Sequence, residues 1–164
     1  IRRSSRLNII NSVALGWPIG LIIDGEKGDT PAQAKAGTIR FHNNVLAGMD
    51  IIGSDANKIY DDVLYDAAKK AVIDASQKSY SNTFFFQEAL NNKAYDDIAA
   101  LALTDASNVG SPFMPSANSP LLSLASFAGE TSAWLDKVSY VGAFNATENW
   151  LKGWTNFDPQ NAQY

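Results

Sequence analysis

NIINSVALG, residues 8–16, aligns without a gap on RFHNNVLAG, residues 40–48, at an offset of 32 residues. The two segments share an asparagine (Asn11 and Asn43), a valine and a final glycine. Self-similarity at a fixed period is typical of repeat architectures, in which successive segments stack on one another. The many β-branched residues predict strands, and asparagines at matching turns can hydrogen-bond in a ladder. We therefore predict stacked parallel coils with a structural asparagine ladder formed by Asn11 and Asn43.

The composition of the chain limits the class of protein. It has 164 residues, of which 46% are hydrophobic and only 18% are charged, so it can bury a core and does not resemble a disordered chain. The absence of cysteine excludes a disulfide scaffold and a thiolate metal site. A net charge of −4 argues against nucleic acid as the main partner. No apolar run is long enough to predict a membrane span.

The sequence pattern changes after residue 53. Apolar residues in 55–78 recur at helical spacing, with aspartates early and lysines late, and this pattern predicts a helix. A shorter helix is predicted over 84–90. We therefore divide the chain into β-helix coils at 1–53, a helical insertion at 54–97, and terminal strands, a Pro-rich loop and an aromatic capping tail at 98–164. The three parts are expected to form one structural unit within a longer chain.

Several segments resemble the last coils of right-handed parallel β-helix proteins: NSVALGWPIGLIID, TIRFHNNVLAGM, FMPSANSPLLSLASF, and VSYVGAF with the tail ENWLKGWTNFDPQN. Ser139 stands where the VSYVGAF strand often carries Asp. The family comprises secreted or surface proteins of Bacteroidetes type, pectate-lyase-like and mostly of unassigned function. The resemblance implies a mainly β fold, the C-terminal part of such a β-helix. It also implies an extracellular or outer-membrane location in a bacterium.

Aromatic residues concentrate near the end of the chain. Trp150, Trp154 and Phe157 are candidates for stacking on sugar rings, whose flat C–H faces suit aromatic platforms. The alternative interpretation, which the sequence favours, is that these aromatic residues cover the exposed apolar end of the coils, since terminal repeats need a cap.

Acidic residues in DGEKGD provide the candidate metal ligands. Asp24, Glu26 and Asp29 are spaced so that their carboxylates could bind Ca²⁺. The pattern departs from an EF-hand loop, and a solvated turn between strands is the competing interpretation. The single histidine, His42, has no second histidine or cysteine to complete a familiar catalytic set and is interpreted as structural.

No group of residues predicts catalysis, so the sequence favours a non-catalytic cell-surface or secreted β-helix protein. Its expected partners are polysaccharide or envelope proteins, with no cofactor other than a possible Ca²⁺. The first alternative is a polysaccharide lyase or hydrolase with most of its site upstream, for which Arg40 and Lys27 are the nearest basic residues. The second alternative is a subunit of an outer-membrane complex.

Overall fold

The computed structural model describes residues 1–55, 65–66, 71–72, 79–104, 113–151, 153, 155–156 and 159–161. In chain order its strands and helices are β1 (Asn8–Ile10), β2 (Val13–Leu15), β3 (Ile19–Ile22), α1 (Thr30–Lys35), β4 (Arg40–His42), β5 (Val45–Ala47), β6 (Ile51–Ser54), β7 (Tyr65–Asp66), β8 (Ala71–Val72), α2 (Tyr80–Phe85) and β9 (Lys93–Tyr95). Short 3₁₀ helices follow at Glu88–Leu90, Ile98–Leu101, Pro120–Ser123 and Pro159–Asn161.

Short parallel strands form the body of the molecule. β1 pairs with β4, β2 with β5, and β3 with β6, each in parallel and each at an offset of 32 residues. This register is the one that the alignment of 8–16 on 40–48 predicts. β9 then pairs in parallel with β5 at an offset of 48 residues. The sheets are therefore stacks of equivalent segments from successive parts of the chain.

An asparagine in the left-handed region lies at the turn shortly before each of β2, β5 and β9. Asn11, Asn43 and Asn91 lie at φ values of 50°, 56° and 50°, in the left-handed region. Asparagine tolerates this conformation better than most other side chains because its short amide can hydrogen-bond locally. The three turns can therefore follow the same path, and the strands that follow them, β2, β5 and β9, stay in register.

One hydrophobic core lies inside the stacked segments. Ile39, Phe41 and Leu46 are almost fully buried there, together with Phe84 and Phe85 from α2. α2 lies directly against β6, since a Cβ built on Gly53 would come within 2.3 Å of Asn82 N.

α2 is held on the strands by hydrogen bonds as well as by its phenylalanines. The Ser79 hydroxyl donates to Gly53 O at 2.8 Å, and the Asp55 carboxylate accepts from the backbone of Tyr80 and Ser81, each at 2.7 Å. A short helix therefore closes the interior at β6. The prediction gave a capping role to the aromatic tail. Trp150 is 55% exposed, and Trp154 and Phe157 lie outside the described residues, so capping by the tail stays a prediction.

The range predicted as a helical insertion, 54–97, differs from the prediction at several points. β7 and β8 pair antiparallel, Tyr65 opposite Val72, where a helix over 55–78 was expected. The rest of 56–78 lies outside the described residues. Lys93–Tyr95 also lies in this range, yet it extends the sheet as β9. Tyr and Val, the residue types at positions 65 and 72, favour strands. Helical spacing of apolar residues does not by itself stabilise a helix, because most helical stability comes from tertiary packing.

The C-terminal third also departs from the expected terminal strands. Among its described residues there are 3₁₀ helices and an isolated bridge between Leu103 and Pro115, but no strand. The segment 138–144, predicted as a strand, runs as bends whose backbone donates to separate acceptors: Val141 N to Leu121 O and Gly142 N to Asn11 O, both at 2.8 Å. Such scattered partners hold a segment in place without forming a ladder.

Candidate functional site

The outward face of the β2–β5–β9 sheet carries a second hydrophobic core. Side chains alternate along a strand, so Leu46 points into the first core while Val45 and Ala47 point outward. Val45 and Ala47 are covered by Leu121 and Val141 of the C-terminal segment, and all four are at most 3% exposed. The central strand β5 is therefore buried on both faces, and the C-terminal segment covers its outer face.

Ser126 fastens the C-terminal segment to the asparagine turns. Its carbonyl accepts from Asn11 Nδ2 at 3.1 Å and from Asn43 Nδ2 at 3.0 Å, and its N–H donates to Asn11 Oδ1 at 3.0 Å. Asn91 Nδ2 in turn donates to Asn43 Oδ1 at 3.0 Å. The predicted pair Asn11 and Asn43 thus meets at a shared third residue, which the sequence did not indicate.

A second row of polar side chains lies next to these turns. Asn44 Oδ1 accepts from Ser12 N at 3.0 Å, and its Nδ2 donates to Ile9 O at 3.0 Å. One segment further on, Asn92 Oδ1 accepts from Asn44 N at 2.9 Å, and its Nδ2 donates to Phe41 O at 2.9 Å. Asn44 and Asn92 are 2% and 9% exposed, so they satisfy backbone groups that water reaches poorly.

An apolar cleft opens where the C-terminal segment passes β2. It has a volume of about 200 Å³ and is lined by Val13, Leu15, Leu103, Phe113, Pro115, Leu121, Val141, Gly142, Ala143 and Phe144. The cleft continues the second core toward β2. Its volume is below the roughly 300–1,000 Å³ of pockets that hold a small-molecule ligand.

Trp150 and Phe144 form an aromatic platform beside the cleft. Their ring centroids are 5.8 Å apart with an interplanar angle of 25°, and Trp150 Nε1 donates to Ala143 O at 2.8 Å. A turn built on Asn145, whose Oδ1 accepts from Thr147 N at 2.9 Å and Glu148 N at 2.7 Å, brings the chain back to this position. The indole is therefore fixed in orientation while 55% exposed. Trp154 and Phe157, the other predicted stacking residues, lie outside the described residues.

A charged cluster lies on the outer surface of β4. Arg40 forms an ion pair with Glu130, whose side chain is only 7% exposed, and His42 Nε2 lies 3.6 Å from the same carboxylate. Burial lowers the pKa of His42, the Arg40 charge lowers it further, and Glu130 opposes both. The histidine is therefore held neutral in a structural cluster. Glu130 was not predicted, because it comes from a distant part of the chain.

The carboxylates of DGEKGD are engaged locally. Asp24 is 3% exposed and accepts from Glu26 N at 2.8 Å, while Asp29 caps α1 by accepting from Ala32 N at 3.1 Å. Among the described residues, no three histidine, cysteine or acidic side chains form a group suited to a metal ion. Calcium binding by Asp24, Glu26 and Asp29 stays a prediction.

Comparison of the chain with protein-family models, curated proteins and solved structures finds no match. Within the described part of the chain, no helix combines the length and apolar character needed to cross a membrane.

Proposed function

We propose that the chain is a terminal unit of a non-catalytic parallel β-helix, secreted or displayed on a bacterial surface, that binds polysaccharide. Parallel pairing of successive segments at a constant offset and asparagine-bearing turns of equal backbone conformation support the β-helix assignment. The secreted or surface location rests on the sequence resemblance alone.

The observation that carries the binding function is the fixed and exposed ring of Trp150. Its face is backed by Phe144, and its N–H is already bonded to Ala143, so little side-chain entropy is lost when a ligand stacks on it. The exposed part of the indole, 55% of the residue, presents apolar surface to water, and such surface suits the C–H face of a sugar ring.

The competing enzymatic function receives less support from the described residues. Arg40, the basic residue nearest to the role of proton acceptor in a lyase, is ion-paired with the buried Glu130 carboxylate. This ion pair directs the guanidinium toward a carboxylate of the same chain, and no second basic residue stands beside it among the described contacts of Glu130 other than His42.

The test compares Trp150→Ala with Trp134→Ala in a polysaccharide array followed by calorimetry on any polysaccharide that binds. Trp134 is the matched control because it is 93% exposed. Removing a stacking aromatic costs about 1–3 kcal/mol, which corresponds to a roughly fivefold to 150-fold weaker affinity for Trp150→Ala. The control is expected to bind as the parent protein does.

Two outcomes contradict the proposal. Equal binding by the two variants would remove Trp150 from the site. A Trp150→Ala protein that loses thermal stability but keeps its polysaccharide affinity would assign the ring to capping. Ultraviolet absorbance from unsaturated products during incubation with acidic polysaccharides would favour the lyase alternative.

A further inference from the structure

The side chain of Asn43 is fixed in one orientation by its neighbours. Its Nδ2 lies 3.0 Å from the Ser126 carbonyl, a group that can only accept a hydrogen bond. Its Oδ1 accepts from Asn91 Nδ2 at 3.0 Å. Turning the Asn43 amide over would set its Oδ1 against Ser126 O, so that two acceptors would meet. The two N–H groups of Nδ2 therefore stay on the side of Ser126.

The same nitrogen of Asn43 contacts the ring of His42, at 3.1 Å from Nδ1. An amide nitrogen can only donate, so His42 Nδ1 must present its lone pair in this contact and carries no proton. The single ring proton then lies on Nε2, which faces the Glu130 carboxylate at 3.6 Å. The hydrogen bonds of Asn43 thus assign the neutral Nε2–H form to His42.

The groups around His42 disfavour a second ring proton. Among the described residues, the charged groups that face the ring are Arg40, on the same side of β4, and Glu130 of the C-terminal segment. Arg40 already neutralises Glu130, so an imidazolium would gain little from that carboxylate. The neighbouring segments bring apolar residues to this position, Ile10 in register on β1 and Leu90 beside the turn. Burial first, and then the Arg40 charge, lower the pKa of His42, while Glu130 opposes them.

A second ring proton would set two donors against each other. With a proton on Nδ1, His42 would direct an N–H at Asn43 Nδ2, and the contact at 3.1 Å would change from attraction to repulsion. Asn43 cannot relieve this repulsion by turning over, because the Ser126 carbonyl needs its N–H. The two side chains must then move apart, and a shift of Asn43 weakens the bond that fastens the C-terminal segment at Ser126.

We propose that His42 and Asn43 form an acid-sensitive latch, which releases the C-terminal segment from the outer face of β5 when His42 is protonated, while the stacked strands stay folded. Hydrogen bonds to scattered partners attach this segment, and such attachments open more easily than a strand ladder. Every described member of the first hydrophobic core lies at position 94 or earlier, so this core does not need the segment. Release would expose the outward side chains of Val45 and Ala47.

Amide hydrogen exchange followed by NMR tests the release. Three amides of the C-terminal segment that donate hydrogen bonds in the structure report on it: Ser126, Val141 and Gly142. Ile51 N, which donates to Pro18 O at 2.9 Å in the stacked strands, reports on unfolding of the whole chain. The three amides are expected to exchange at least about tenfold faster than Ile51 and with little dependence on low concentrations of urea, because local opening exposes little surface.

The pH dependence of the same amides tests the role of His42. Their protection factors, in which the ordinary pH dependence of exchange is divided out, are expected to fall by about fivefold from about pH 7.5 to about pH 5.5, the change that corresponds to one lost hydrogen bond. His42→Gln is the matched variant, because glutamine can accept from Asn43 and donate toward Glu130 without titrating. Protection in this variant is expected to stay constant over the same range.

The ring of His42 can also be observed directly in the unaltered protein, which keeps the test independent of any variant. The ¹⁵N resonances of the ring are expected to show the proton on Nε2 in the neutral form, and titration below the ordinary pKa of 6.5.

Three results would overturn the proposal. A neutral ring with its proton on Nδ1 would remove the contact with Asn43 as the structure has it. Equal pH dependence of protection in His42→Gln and the parent protein would exclude His42 as the group that controls release. Exchange of the three amides at the rate and urea dependence of Ile51 would show that the C-terminal segment leaves only when the whole chain unfolds. None of these measurements involves polysaccharide.

Discussion

Replacing Asn44 with alanine tests whether the inner row of asparagines holds the stacked segments together. The substitution removes the acceptor of Ser12 N–H and the donor to Ile9 C=O, while the N–H of residue 44 keeps its bond to Asn92. The Ser12 N–H on the neighbouring segment therefore loses its partner, while the Ile9 carbonyl keeps its ladder bond to β4. The change also leaves a small void at a position that is 2% exposed.

The size of the effect follows from the cost of leaving the Ser12 N–H unpaired. An unsatisfied buried donor or acceptor costs about 1–3 kcal/mol. Because the bond to Ser12 is only partly buried, we take the lower half of that range and expect a loss of about 1–2 kcal/mol. For a chain of this size the melting temperature then falls by roughly 2–8 °C.

Urea unfolding followed by circular dichroism measures this loss, with Asn8→Ala as the matched control. Asn8 is an exposed asparagine on β1, so the control carries the same chemical change without the buried bonds. Asn92→Ala provides a second test, and its loss should be at least as large because its partners Asn44 N and Phe41 O are buried. A loss at Asn44 no greater than that at Asn8 would refute the reasoning.

The remaining predictions concern α2 and the charged cluster. Gly53→Ala is expected to destabilise the fold by about 1–3 kcal/mol, because the new methyl group meets the backbone of α2 at Asn82. Urea unfolding measures the loss, and Gly25→Ala, whose Cβ would lie 3.2 Å from a proline ring, is the control. Equal losses of stability in the two variants would contradict the close packing of α2 on β6. His42 has a pKa below its ordinary value of 6.5, so the unfolded chain binds the proton more readily and the free energy of unfolding should fall as pH drops below about 6.5. Thermal melts across that range should show a flatter pH dependence for His42→Gln, and unchanged slopes would exclude His42 as the source.

The register of the first two segments could be predicted from sequence because identical residues recur at a fixed offset. The segment around β9 was missed, although Asn91 and Asn92 repeat the Asn43–Asn44 pair, because its offset is 48 residues and not 32. A search for the recurring Asn-Asn dipeptide would have found it. The residues between these two Asn-Asn pairs include α2. Its packing depends on close approach to Gly53, and such a contact produces no periodic pattern in the sequence.

The candidate site was predictable only in part, because several of its residues meet through tertiary contacts. The aromatic residues of the tail predict a stacking platform that includes Trp150. The stacking partner, Phe144, could not be predicted, because the turn at Asn145 brings the two rings together. Glu130 and Ser126 contact residues that lie more than 80 positions earlier in the chain. Contacts at such separations arise from tertiary packing, which local propensity does not encode.

The bonds between Ser126 and Asn11 have a consequence for how the chain folds. They join residues 115 positions apart, and the same C-terminal segment covers the outward side of a sheet made from residues 13–15, 45–47 and 93–95. Contacts between such distant residues slow folding, because a long loop must close before they form. During synthesis the early strands emerge while the segment that covers Val45 and Ala47 is still unmade. We therefore expect this face to stay exposed to water and to chaperones until residues beyond 141 leave the ribosome, so that the fold is completed late.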